Sequence, residues 1–173
     1  MSRLDMFLDH NAIDKEALLD ALHWDIRETI LKIIIQKMKT NASFLSAAKK
    51  YYHHYPNLEA AKQIITTVCD YDLSDEDIAW FDACFRAFMK KRNTRNSIKT
   101  TTKKMLLAMQ QNKCAMCGCS ISLSTIHVDH KIPWDFVGDE LADNYQGLCS
   151  DCNLHKSNHV AIAVSSMILN GGK

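Results

Sequence analysis

The stretch "CAMCGCSISLSTIHVDHKIPW", residues 114–134, opens on a CxxC pair and closes on an aspartate between two histidines, followed by a proline and a tryptophan. A second pair, "CSDC" at 149–152, stands 31 residues beyond the first. Each pair offers two thiolates from one tight turn, and two such turns complete a tetrahedral zinc site. Four thiolates leave no open coordination position, so a zinc held by Cys114, Cys117, Cys149 and Cys152 is expected to be structural. In a lobe with little apolar core, such a metal supplies folding energy outright. Cys119, which completes "CGC", reads as a spare thiol beside the knuckle. Cys69 and Cys84 lie in apolar, helical surroundings and read as core.

Upstream of this stretch the pattern is different. The first ~110 residues carry apolar side chains at three- and four-residue steps, the period of an amphipathic helix. A long helix is expected from Asp14, with Leu18, Leu22, Ile26, Ile30, Ile33 and Ile34 forming its stripe. Shorter helices are expected at 42–53 and 57–69. "SDED" at 74–77 has the form of a capping box, and the helix it opens turns Ile78, Phe81, Phe85 and Phe88 inward. A further helix near 97–111 leads into the cysteines, and a last one is expected from about 151 to 169. Between them "SISLSTIHV" is β-prone. The expected fold is mainly α, with a helical module over 1–95 and a small α+β lobe over 96–173.

Composition bounds the setting. No apolar run approaches the roughly 20 residues of a membrane span. "MSRLDMFLDHN" is broken by polar and acidic residues, unlike a secretory signal. A reducing, cytoplasmic setting is expected, where seven cysteines imply metal rather than disulfides. The net charge of +1 conceals a division: residues 83–128 hold nine Lys/Arg and no acid, while residues 1–82 hold nine against fourteen acids. Within the basic block, Lys90, Lys91, Arg92, Arg95, Lys99, Lys103 and Lys104 form a candidate track for a nucleic-acid backbone. The acidic helical portion is expected to dock a partner protein, self-associate or brace the lobe.

Between the knuckles stand Asp129-His130 and Asn144, with Asn153 directly after the last cysteine and Lys156 three residues on. The pattern "C-x2-C … VDHKIP … DN … GLC-x2-CN-x2-K" resembles the HNH nuclease family, whose fold is the ββα-metal unit. The resemblance covers about residues 114–157. It implies His130 as general base, Asp129 and Asn153 as ligands of a catalytic cation, and Asn144 as the middle residue that holds the base-bearing loop. Many relatives carry histidine at the position of Asn153 and again four residues later, where this chain has Ser157. The set here is closer to the aspartate–asparagine version of some homing endonucleases and RNA-guided CRISPR nucleases. Carboxylate and amide oxygens favour Mg²⁺ or Mn²⁺, and a neutral imidazole is a suitable base near pH 7.

Successive strand residues point to opposite faces, so Asp129 and His130 serve one centre only if the strand ends at His130. Alone, His130 would read as a structural histidine; beside Asp129, Asn144 and Asn153 it reads as the base. His127 shares the face of Asp129 and reads as a partly exposed strand residue. Lys156 is expected on the Asn153 face, binding phosphate or bracing the lobe. Trp134 and Phe136 read as core of the small lobe. The expected activity is hydrolysis of DNA, or of RNA by the same phosphate chemistry. The alternatives are a non-catalytic zinc module and a nuclease subunit active only within a defence, restriction or packaging assembly.

Overall fold

The computed structural model describes residues 2–56, 58–69 and 73–156. Among them the order is α1 (Arg3–His10), α2 (Lys15–Thr40), α3 (Ala42–His54), α4 (Glu59–Thr66), α5 (Asp75–Lys90), α6 (Thr100–Met109), β1 (His127–His130), α7 (Trp134–Val137), β2 (Tyr145–Leu148) and α8 (Ser150–Lys156). The fold is mostly helical with one small two-stranded sheet, as the sequence implied. The part of the last helix expected beyond Lys156 lies outside the described residues. No helix among the described residues is long and apolar enough to cross a membrane.

Local chemistry sets the helix starts. Ser2 and Asp5 form a reciprocal capping box on α1. Asn41 accepts the Phe44 amide at 2.9 Å to start α3, and Ser74 accepts the Asp77 amide at 3.1 Å to start α5.

The described residues fall into two compact units. One gathers 27–96 with 132–144; the other gathers 1–26, 97–131 and the residues from Tyr145 onward. The first is built on a core of Leu31, Ile34, Ile35, Met38, Ile64, Phe81 and Phe85, each at most 1% exposed. Ile78, Phe81 and Phe85 turn inward as their spacing implied, with Phe88 half-buried against them. The α2 stripe differs from expectation. Ile30 and Ile34 are buried, but Leu31, Ile35 and Met38 complete the face, while Leu22, Ile26 and Ile33 are exposed. This helix is apolar on several sides, so its partners decide which side is covered. Arg27 and Asp77 pair at 2.8 Å within the same unit, both nearly buried, and the Arg27 guanidinium lies 4.6 Å from the centre of the Trp80 ring. Burial also pushes the Cys84 thiol up to about 12, as suits an inert core cysteine.

Residues 132–144 pack with these helices. Ile132 and Val137 enter the helical core, with Phe136 and Leu141 against it. The expectation that Phe136 belongs to the core of the small lobe is therefore corrected. A two-stranded sheet offers too little apolar area to bury these side chains. Trp134 is instead covered by cations: Lys91 Nζ lies 4.2 Å and the Arg95 guanidinium 5.0 Å from its ring centre.

The second unit centres on Leu106, Leu107, Cys114, Ile121, Ile126 and Leu148. β1 and β2 run antiparallel, pairing His127 with Leu148, Val128 with Gly147, Asp129 with Gln146 and His130 with Tyr145. Gly147 packs closely: a Cβ there would come within 2.7 Å of Ile126 Cδ1, so that side chain would have to shift.

Candidate functional site

The four cysteines predicted to bind metal converge. The sulfurs of Cys114, Cys117, Cys149 and Cys152 all lie within 4.8 Å of one another. Two sulfurs on a tetrahedral shell of about 2.3 Å radius stand about 3.8 Å apart, and Cys117 Sγ and Cys149 Sγ are 3.8 Å apart. Cys114 Sγ accepts the Cys149 amide at 3.3 Å and Cys149 Sγ accepts the Cys152 amide at 3.5 Å, as thiolates favour. A hydrogen bond from the Cys119 amide holds the Cys117 thiol down at about 7. The cluster fits a structural zinc, and its second pair sits at the start of α8, fixing where that helix begins.

α8 presents Asn153 and Lys156, three residues apart on one helical face. β1 presents His127 and Asp129, two residues apart on one strand face. The two faces meet. Lys156 Nζ lies 2.7 Å from Asp129 Oδ2 and donates to the His130 carbonyl oxygen at 2.6 Å. Asn153 and His127 line one open cavity of about 440 Å³, together with Ile98, Lys103, Ser124, Ile126 and Val128. β1 ends at His130, and the chain bends over the next two residues. The His130 side chain is 9% exposed, with its ring centre 4.7 Å from that of Tyr145, its partner across the sheet.

Asn144 lies in the other unit and is 3% exposed. Its Oδ1 accepts the Ile132 amide at 2.8 Å and its Nδ2 donates to the Ile132 carbonyl at 2.9 Å. The side-chain amide thus satisfies both main-chain groups of one buried residue. Ile132 follows His130 by two positions in the chain.

A similar clamp has no signature in the sequence. Gln110, the C-cap of α6, accepts the Gly147 amide at 2.7 Å and donates to the Gly147 carbonyl at 2.9 Å. It ties β2 to α6 opposite the partner strand. Nothing in a glutamine at a helix end distinguishes a clamp from a solvated side chain.

The basic block divides. Lys91 Nζ stands 3.6 Å from an Asp135 oxygen and donates to the Asp135 carbonyl at 3.2 Å. Arg92 stands 3.6 Å from Glu140, and Arg95 lies over Trp134. Lys39 joins Asp135 as well, and its ammonium holds that carboxyl below the usual carboxylate range. These cations face the acidic segment 132–144. Among the described residues Lys90, Lys99, Lys103 and Lys104 enter no ion pair, with Lys103 on the cavity wall.

Residues 114–159 match the family model described as HNH endonuclease. No curated protein and no solved structure matches the chain. The matched segment spans the cysteine cluster, both strands and α8, so this part of the chain is similar to HNH endonucleases.

Proposed function

We propose that the chain is a metal-dependent endonuclease that hydrolyses DNA phosphodiester bonds, with the reaction centred on Asp129, His130 and Asn153. One observation carries this reading: α8, begun by the cysteine cluster, lays its Asn153–Lys156 face on the His127–Asp129 face of β1. A bare zinc-knuckle binding module has no need of that oxygen-donor pair beside a histidine.

Asp129 and Asn153 supply one carboxylate and one amide oxygen, a donor set that fits Mg²⁺ or Mn²⁺ with water completing the shell. Such a cation, when bound, stabilises negative charge on the phosphate and on the leaving oxygen. The remaining work falls to the chain. His130 takes the proton of the attacking water on a ring nitrogen, and burial against Tyr145 fixes the plane of that ring. Lys156 offsets the charge of Asp129 and steadies the main chain at His130. Asn144 holds Ile132, and through it the turn that follows the base. Lys90, Lys99, Lys103 and Lys104 guide the sugar-phosphate backbone, a contact that positions without reading sequence. Lys91, Arg92 and Arg95 chiefly neutralise segment 132–144. By resemblance the products carry 5′-phosphate and 3′-hydroxyl ends, and a reducing cytoplasm suits the free thiols.

Supercoiled plasmid incubated with Mg²⁺ or Mn²⁺ tests the reading. Wild type is expected to nick or linearise it, and His130→Ala to lose at least a hundredfold in rate at unchanged zinc content. Equal cutting by both proteins would remove His130 from the reaction. A second reading, a nuclease subunit that works within an assembly, draws on the exposed Leu4, Met6, Phe7, Leu19 and Trp24 of α1 and α2.

A further inference from the structure

Of the residues that line the cavity beside β1, the reading above uses Asn153 as a cation ligand and Lys103 as one of several backbone-guiding cations, and leaves the rest without a role. Its lining combines the apolar residues Ile98, Ile126 and Val128 with the polar or basic residues Lys103, Ser124, His127 and Asn153. Lys103 comes from the first half of α6 and His127 from the start of β1, so two different elements line one recess. The volume, about 440 Å³, lies in the range of small-molecule sites. The lining is also chemically mixed. Basic and hydrogen-bonding residues share it with aliphatic ones, and no acidic residue takes part.

We infer that this cavity is a nucleotide subsite, and that it holds the nucleotide adjoining the scissile phosphate. Lys103 and His127 bind the flanking phosphodiester, while the sugar and base lie on Ile98 and Val128. The inference rests on the nuclease reading, and Asn153 supplies the link, since it forms a wall of the cavity and is also the proposed cation ligand. His127 thereby changes from a bystander on the strand to a substrate-binding residue. The lining has few groups that could read a base edge, so occupancy is expected to tolerate any base. Removing a phosphate-binding side chain from such a site weakens substrate binding while leaving the chemical step in place.

The test compares wild type with Lys103→Met and His127→Ala on a fluorescein-labelled DNA duplex, measuring anisotropy for binding and initial rates for KM and kcat. Lys62→Met, which removes an exposed cation from α4 far along the chain, serves as the charge-matched control. Each subsite variant is expected to raise KM and the dissociation constant about tenfold, with kcat within about threefold of wild type and the control unchanged. Zinc content and circular dichroism confirm that the variants are folded. If wild type cuts DNA and both variants match it in KM, the subsite is wrong while the nuclease reading stands. If kcat falls and KM does not move, His127 or Lys103 acts in the chemistry and the subsite assignment is overturned. If wild type neither binds nor cuts the duplex, the nuclease reading fails and takes the subsite with it.

Discussion

Asn144 shows how one side chain can stand in for a strand neighbour. Its amide gives the buried Ile132 peptide both a donor and an acceptor, where water and sheet provide neither. Asn144→Asp keeps an acceptor for the Ile132 amide but removes the donor to its carbonyl and buries a charge. The expected outcome is a loss of about 2–4 kcal/mol in unfolding free energy, measured by urea titration, together with a large fall in cleavage rate. A variant with wild-type stability would mean that the turn does not depend on this amide. At this scale the sequence marked Asp129, His130 and Asn153 as candidates by residue type and spacing, and the fold brings the strand and helix that carry them together. The engagement of Lys156 with Asp129 was not legible, and neither was the grip of Gln110 on Gly147. A flexible side chain's partner is decided by what folds next to it, which residue type does not reveal.

Among the described elements, α8 is the one that starts at the cysteine cluster. Its described residues, Ser150–Lys156, bury no side chain, so little apolar packing of their own holds them to the strands. Its position comes from the cysteines at its start and from Lys156 at its end. Cys149→Ser is therefore expected to release zinc and to unfold α8 and the β1–β2 pair. In heteronuclear NMR the resonances of 114–131 and 145–156 should collapse while those of α3, α4 and α5 persist, and zinc release can be followed with a chromogenic chelator. Retained zinc at one equivalent would show that Cys119, close by in sequence, replaces the missing ligand. The CxxC spacing announced the cluster because thiolate pairs in tight turns have few other uses in a reducing setting. Strand extents were less accessible. "SISLSTIHV" looked β-prone along its length, yet only its last residues enter β1, which runs on to His130, because only that segment finds a partner strand.

For the whole molecule, the decisive feature is that segment 132–144 lies between the two strands in sequence but belongs to the helical core. Ile132 and Val137 are at most 3% exposed there, among Phe81, Phe85 and their neighbours. A fragment beginning at residue 96 keeps the cysteines and every candidate catalytic residue, yet strips that cover. It is expected to bind zinc but to leave amides 132–144 unprotected in hydrogen exchange, and to aggregate or cleave poorly. Full protection of those amides in the fragment would show that the lobe folds by itself. The composition break near residue 95 suggests such independence, and this fragment puts it to the test.

The order of residues was enough to set the helices, their caps, the metal-binding cysteines and the donor types on β1 and α8. Each of these follows from local spacing, from hydrogen bonds within a few residues, or from side-chain chemistry. Folding in three dimensions was needed to settle which face of α2 is covered, which cations answer segment 132–144 and which remain for a ligand. It was needed, too, for His127 to share a cavity with Lys103 and Asn153. Those outcomes turn on burial and charge pairing between residues far apart in the chain, and the energy of such pairings is fixed only once the chain has closed upon itself.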